Sequence, residues 1–239
     1  LPFGGAKAGI RADPFSTDRI AQVRTFARAV APYVPSQWIA APDMNIGEKE
    51  IEAFVKEVGD LRAATGKPMH LGGIPHETGT TGFGVSVAIE AMLNCVKGET
   101  PLPKSLHDLR VVIQGFGNVG SELAKFLYAK GARIVATCDY WSGIYDEKGM
   151  NIAKVARFAY AKNEAQSVGN YKDARKIPRD NIFDIDCDIF IPAAMGNVIT
   201  METAPRLRAK AVVEAANNPT TGEAEKFLHK KGVLVLPDI

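Results

Sequence analysis

Three places in the chain carry residues whose types and spacing could do chemistry. The first is Gly4-Gly5-Ala6-Lys7-Ala8-Gly9, a lysine set among small residues. Small neighbours let a backbone or ligand come close, and they leave the ammonium with no evident partner. A lysine buried in such a loop has a lowered pKa and can exchange protons near neutrality. On a solvated loop the same lysine only carries charge. The second place is Asp43, in Ala41-Pro42-Asp43-Met44-Asn45, where an extended stretch gives way to a helix. An aspartate there either caps the helix or moves protons.

The third place is Gly115-Phe116-Gly117-Asn118-Val119-Gly120, which matches G-x-G-x-x-G. The spacing alone is weak, but a strand, Arg110 to Gln114, precedes it and a helix, Ser121 to Lys130, follows. In that setting Gly115 permits the tight turn, and Gly117 lets a pyrophosphate approach the backbone. Gly120 lets the helix pack closely on the strand. Phosphates would then sit on the free N–H groups of the helix, where the dipole favours anions. The next strand, RIVATCD, ends in Asp139, about 20 residues beyond the last glycine. A carboxylate there can accept both ribose hydroxyls and repels a 2′-phosphate. Tyr140, Trp141 and Ser142 follow it, with no adjacent Arg or Lys, which favours NAD over NADP.

Short alternating elements must position these residues. After Pro103, strand and helix patterns follow one another: RVVIQ, SELAKFLYAK, RIVATCD, a helix around Ile152 to Gln166, DIFIPAA, VVEAA, GEAEKFLHKKG and VLVLPD. The strand runs are short, continuous and rich in Val and Ile, as expected of parallel strands buried on both faces. This predicts an α/β fold with a doubly wound, mostly parallel Rossmann-type sheet.

Before it lies a different rhythm. Ser16 or Thr17 could cap a helix whose apolar positions are Ile20, Val23, Phe26, Ala27 and Val30, stopped by Pro32 and Pro35. A short strand is expected from Trp38 to Ala41. A second amphipathic helix, with Ile51, Phe54, Val55, Val58 and Leu61 on one face, should end near Thr65-Gly66. The Gly- and Thr-rich segment His70 to Gly84 reads as a link, with a helix from about Gly84 to Val96 beyond it. We expect two domains, residues 1–78 and 79–239. The first is part of an α/β substrate domain, and the second is a dinucleotide-binding domain incomplete at its C-terminus.

Bulk properties narrow the function. The 239 residues are 46% apolar and 23% charged, ordinary globular composition with a net charge of +2. No Lys/Arg run tracks a phosphate backbone, so nucleic acid is not an expected partner. No apolar stretch has the roughly 18 residues of a membrane span, so none is expected at a membrane. Cys95, Cys138 and Cys187 are far apart and odd in number; they read as small apolar core residues in a reducing cytoplasm. His70 and His76 have no third ligand beside them, and no metal is expected. The chain opens LPFGGAKAG, without an initiator Met, and reads as the inside of a longer protein.

Together these pieces resemble the glutamate, leucine, phenylalanine and valine dehydrogenase family, and its glutamate branch most closely. PFGGAKAG is similar to the family's glycine-rich lysine motif and AAPDM to its catalytic-aspartate motif. HLGG with TTGFGV resembles the domain-joining segment, and VVIQGFGNVG the cofactor loop. IPAAMGNVIT, EAANNPTT and VLVLPDI resemble later pieces of the cofactor domain, in the same order. The resemblance implies that Lys7 polarises the substrate carbonyl and activates water, while Asp43 shuttles protons. It implies that Gly115, Gly117, Asn118, Val119, Gly120 and Asp139 bind the cofactor. Thr81 and Asn118 would hold its nicotinamide end, with Asn197 and Asn217 near the same ring unless they serve only local turns.

The reaction so implied is NAD(P)-dependent, reversible oxidative deamination of L-glutamate to 2-oxoglutarate and ammonia, in a cleft between two domains. The resemblance also implies a homo-oligomer, a hexamer, for the full-length protein. In the family the substrate domain starts before the lysine motif and the chain continues beyond PDI, so both ends are expected to be missing here. Phe83 stands where many of the glutamate enzymes have arginine, and GGIPHE replaces a GGS-type stretch. A leucine- or phenylalanine-type dehydrogenase is therefore the alternative within the class, and a non-catalytic NAD-binding module the alternative outside it.

Overall fold

The computed structural model describes residues 4–13, 16–75, 78–96, 101–107, 109–160 and 166–238. The chain divides into two units, Leu1–Thr78 and Gly79–Ile239, each with its own core.

In the first unit two amphipathic helices pack together: α1, Arg19–Val30, and α2, Glu48–Val58. Val23 and Ala27 of α1 and Ile51, Phe54 and Val55 of α2 are buried at helical spacing. Phe26, Trp38 and Phe54 meet with ring centroids 6.0–6.2 Å apart, two of the pairs edge-to-face. α2 stops earlier than its apolar pattern predicts. Gly59 adopts a left-handed conformation (φ 78°) and its N–H returns to the Val55 carbonyl, which closes the helix. Leu61, counted on the apolar face by spacing, falls in a separate 3₁₀ turn and is exposed. The strand expected at Trp38 to Ala41 reduces to one bridge, Ala40 with Ala64.

The second unit opens with α3, Thr80–Cys95, whose first turn begins four residues before the predicted start. A seven-stranded sheet follows: β1 Arg110–Gln114, β2 Arg133–Cys138, β3 Gly143–Tyr145, β4 Arg175–Ile177, β5 Cys187–Pro192, β6 Ala209–Val213 and β7 Leu234–Leu236. Their order is β4-β3-β2-β1-β5-β6-β7. The run from β2 to β7 is parallel, and β3 and β4 add an antiparallel edge. The hairpin leaves no pattern in the sequence, because each strand is only three residues long.

α4 (Asn118–Ala129), α5 (Ile152–Ala159) and α6 (Gly222–Lys230) complete the layers. Val111 and Ile113 of β1 face one core with Leu123 and Leu127, while Val112 faces another with Ala224 and Leu228. Neighbouring residues of one strand are thus buried on opposite sides, the physical origin of the unbroken Val/Ile runs. The fold is the expected doubly wound, mostly parallel α/β sheet. The predicted extension of α5 to Gln166 runs into 161–165, outside the described residues, as do His76 and Glu77 of the linking segment and the first residues of PFGGAKAG.

Gly120 sets how closely α4 approaches β1. A Cβ placed there would lie 1.9 Å from the Gly115 carbonyl oxygen. Gly120→Ala should therefore lower unfolding free energy by roughly 2–3 kcal/mol through overpacking. Urea titration followed by circular dichroism measures this, and an unchanged midpoint would show that α4 yields freely.

Candidate active site

In the first unit the chain places Lys7 and Asp43 together. Lys7 Nζ donates to Asp43 Oδ2 although the residues are 36 apart in sequence. Both side chains are accessible, at 78% and 49% relative exposure. The lysine is thus neither buried nor lacking a partner, as its glycine-rich surroundings had suggested. The small residues around it leave no wall to cover it, and the carboxylate supplies the missing partner.

A tight turn presents Asp43. The Ile46 N–H donates to the Asp43 carbonyl at 2.9 Å, and Asn45 is left-handed (φ 61°). Asp43 does not cap α2. Glu50 reaches back to the Gly47 N–H at 2.9 Å in that role, and Arg19 secures Glu50 at 2.6 Å. This frees the Asp43 carboxylate, whose Oδ1 accepts the neighbouring Met44 N–H at 2.8 Å. The Lys7 ammonium and the Met44 amide hold the Asp43 carboxyl below the ordinary aspartate range, against a smaller opposing effect of burial. A cavity of about 460 Å³ adjoins the pair, lined also by Arg19 and by the Phe26, Trp38 and Phe54 rings. Its size suits a small metabolite.

In the second unit the candidate cofactor residues gather at the carboxyl edge of the sheet, beside the central strand where the strand order switches sides. Gly115 has φ 105° and its N–H donates to the Cys138 carbonyl at 3.1 Å, tying the glycine loop to the end of β2. A Cβ at Gly117 would meet nothing within 4 Å, so that side of the loop is open. Asn118, Val119 and Gly120 form the first turn of α4, where backbone N–H groups have no acceptor within the helix. Gln114 Oε1, at the end of β1, is buried without a hydrogen-bond partner. The open glycine and the helix N-terminus fit a dinucleotide phosphate.

The later loops are stitched to this one. The Ala193 N–H donates to the Gln114 carbonyl at 2.8 Å, and the Ala216 N–H to the Pro192 carbonyl at 2.9 Å. Asn197 is exposed with φ 55°, and its N–H donates to the Asn218 carbonyl at 3.0 Å. Asn217 is exposed next to it, but the left-handed residue is Asn218, whose N–H is held by Asp238 Oδ2 at 2.8 Å. Thr81 is exposed on the first turn of α3, and Phe83 packs edge-on against Phe126 of α4.

Asp139 stands at the expected position, but its carboxylate is engaged. Oδ1 accepts the N–H groups of Trp141 and Ser142 at 2.8 and 2.9 Å, and Oδ2 that of Val168 at 2.6 Å. Sequence spacing also gave no sign of Tyr160. Its hydroxyl donates to the Phe116 carbonyl at 2.7 Å and meets Ser121 Oγ at 3.2 Å, bracing the glycine loop from α5. A tyrosine at the end of a helix has no local signature for such a contact. Among the described residues, no group of three His, Cys, Asp or Glu could hold a metal. No helix among them is long and apolar enough to cross a membrane.

Comparison with known proteins gives this arrangement a family. Residues 72–239 match the family model described as Glutamate/Leucine/Phenylalanine/Valine dehydrogenase, and residues 1–60 match the Glu/Leu/Phe/Val dehydrogenase dimerisation domain. The chain is 36% identical to the NADP-specific glutamate dehydrogenase of Saccharolobus shibatae, over all of this chain and 57% of that protein. It is also 36% identical to the NAD-specific glutamate dehydrogenase of Staphylococcus aureus, over all of this chain and 58% of that one. Among solved structures it superposes on the hetero-hexameric glutamate dehydrogenase of Thermus thermophilus, in a Leu-bound form, with a TM-score of 0.84 and 30% identity. That match covers all of this chain and 56% of the other. The chain thus spans a little over half the length of the relatives it matches. With one family model covering most of its length and a second covering its start, the chain belongs to the glutamate, leucine, phenylalanine and valine dehydrogenase family.

Proposed function

We propose that this chain serves the reversible, NAD(P)-dependent oxidative deamination of an L-amino acid, L-glutamate before others, to a 2-oxo acid and ammonia. The observation that carries the reading is the contact between Lys7 and Asp43, two groups of opposite proton demand held beside a metabolite-sized cavity. A bound nicotinamide cofactor would supply the hydride acceptor for the substrate Cα. The remaining chemistry is proton handling and positioning, which this pair can perform.

In the free chain each partner satisfies the other, and Asp43 stays ionised. A substrate carbonyl or its hydrated precursor offers Lys7 a new acceptor. As the ammonium turns to it, Asp43 loses the contact that holds its pKa down, so its affinity for a proton rises when a proton must be taken from the amino group or water. Lys7 meanwhile stabilises negative charge developing on the substrate oxygen. Gly117 and the first turn of α4, at Asn118, Val119 and Gly120, hold the cofactor pyrophosphate. Thr81, Asn197 and Asn217 serve its nicotinamide end. The first unit acts as the substrate and dimerisation domain and the second as the cofactor domain, and the full-length protein assembles as a homo-oligomer. Free thiols, at Cys138 and Cys187 in the core and at Cys95, which is exposed and not in the core as expected, suit work in the cytoplasm.

The decisive assay follows the absorbance of reduced cofactor with the full-length gene product. L-glutamate, L-leucine and L-phenylalanine are offered in parallel, each with NAD and with NADP. Turnover with glutamate is expected. Preference for an apolar amino acid would keep the mechanism and change the substrate, an outcome that Phe83 in place of arginine makes worth testing. Cofactor binding without any turnover would reduce the chain to a nucleotide-binding module.

Two variants separate the roles. Lys7→Ala should lower kcat by about 10²–10⁴-fold with NAD affinity unchanged, as loss of a proton-handling group does. Gly117→Ala should do the reverse, since its backbone (φ −80°) is open to any residue and nothing crowds the added methyl. Stability should change by less than about 1 kcal/mol while cofactor affinity falls. The opposite pattern in either variant would sink the assignment of that residue.

The Lys7–Asp43 contact also has a pH signature. Because the folded pKa of Asp43 is depressed, its stabilising contribution is present above the unfolded aspartate pKa and is lost as pH falls through the folded value. NMR titration of the Asp43 carboxyl should give a midpoint below that of an unperturbed aspartate, and Lys7→Met should raise it. A midpoint that ignores the lysine would mean that the two groups are uncoupled in solution.

A further inference from the structure

Asp139 closes β2 where a ribose-reading acid is expected, yet it has little left to offer a ligand. A carboxylate presents about four lone-pair positions. Backbone N–H groups of Trp141, Ser142 and Val168 take three of them. One remaining position cannot accept both hydroxyls of a ribose diol. The side chain instead fastens the loop after β2 to the segment at Val168, and the three N–H dipoles offset part of its charge.

A cation reaches the same edge from elsewhere in the chain. β3 runs antiparallel to β2, pairing Gly143 with Cys138, and β4 runs antiparallel to β3, pairing Ile177 with Gly143. The chain leaving β4 therefore emerges at the edge that carries Gly115 and Asp139. Two residues on, Arg179 lays its guanidinium 5.4 Å from the centre of the Tyr140 ring, and its Nη1 donates to the Tyr140 carbonyl at 3.3 Å. The contact with the ring and the Tyr140 carbonyl together restrain the guanidinium. Its Nε also contacts Asp180 Oδ1 at 3.2 Å, with side chains 48% and 73% exposed. Such an exposed pair between adjacent residues is weak and yields to a stronger anion. Tyr140 itself is 73% exposed, so the arginine and its platform face solvent.

We propose that Arg179, seated on Tyr140, recognises the 2′-phosphate of NADP, so that the chain accepts NADP as well as NAD, while Asp139 anchors the loop and does not read the ribose. This rests on the reading of the glycine loop as a dinucleotide site. A phosphate monoester carries between one and two negative charges near neutrality and takes two parallel N–H donors from an arginine. The spacing that argued for NAD considered only residues next to Asp139 in sequence. Arg179 arrives 40 positions later through the β3–β4 hairpin.

Calorimetric titration of the full-length gene product with NAD and with NADP tests the proposal. The wild-type chain should bind both. Arg179→Gln should weaken NADP by about tenfold or more and leave NAD within about twofold. Arg179→Lys should recover part of the loss, and Asp180→Asn, which removes the competing carboxylate, should strengthen NADP. NADP affinity should also fall more steeply with salt than NAD affinity. Equal losses for the two cofactors in Arg179→Gln, or no loss for either, would overturn the assignment of Arg179 while leaving the dinucleotide site standing. Failure of the wild-type chain to bind either cofactor would overturn the dinucleotide reading and the proposal with it.

Discussion

The Gly115 carbonyl lies where any side chain at residue 120 would have to begin. That one close approach sets the distance between α4 and β1, and much of the carboxyl edge of the sheet follows from it. With α4 pressed against the strand, the loop before it must turn sharply, and Gly115 does so with a positive φ. The turn brings the Gly115 N–H to the end of β2 and its Cα beside Ala194, so loops after three strands share one place. Tyr160 then secures the loop from outside through Phe116 and Ser121. A chain with alanine at 120 would have to move the helix, and every one of these contacts would move with it.

The first unit depends on a different kind of force. Its core is small and mostly aliphatic, with Phe54 buried and Phe26 and Trp38 packed partly exposed against it. Ion pairs such as Arg19–Glu50 and Arg28–Glu57 join the two helices. The Lys7–Asp43 pair adds little to this stability, because both groups are exposed and screened by water. Its weakness matters chemically. A deeply buried pair would be expensive to separate, whereas an exposed one can exchange partners readily. Glu50 shows the contrast: burial opposes its charge, but backbone amides and Arg19 together leave its pKa below the ordinary value, committing it to structure.

How much of this was legible in the sequence depended on the range of the interaction. β1 was readable to the residue because burial on both faces writes an unbroken apolar run, and the glycine fingerprint sits directly after it. The end of α2 was misjudged because Leu61 continues the helical spacing, while the left-handed Gly59 that ends the helix is two residues earlier. The β3–β4 hairpin was missed because three-residue strands carry too little periodicity to register. The pairing of Lys7 with Asp43, the bracing by Tyr160 and the approach of Arg179 to Tyr140 link residues 36 to 44 positions apart. No local pattern encodes such contacts. The resemblance to the family pointed to Lys7 and Asp43 as functional residues, but only the fold brings them together.

The hairpin has one more consequence, for the behaviour of the protein at high concentration. A sheet built mainly of parallel strands exposes unpaired backbone groups at its margins, and a long apolar margin invites pairing with another molecule. Here one margin is β4, only three residues long, with Arg175 and Lys176 both exposed and only Ile177 buried. Short length and adjacent positive charges make that margin a poor template for a neighbour's strand. Thus the same detour that carries Arg179 to the carboxyl edge of the sheet also discourages sheet-to-sheet self-association along that side.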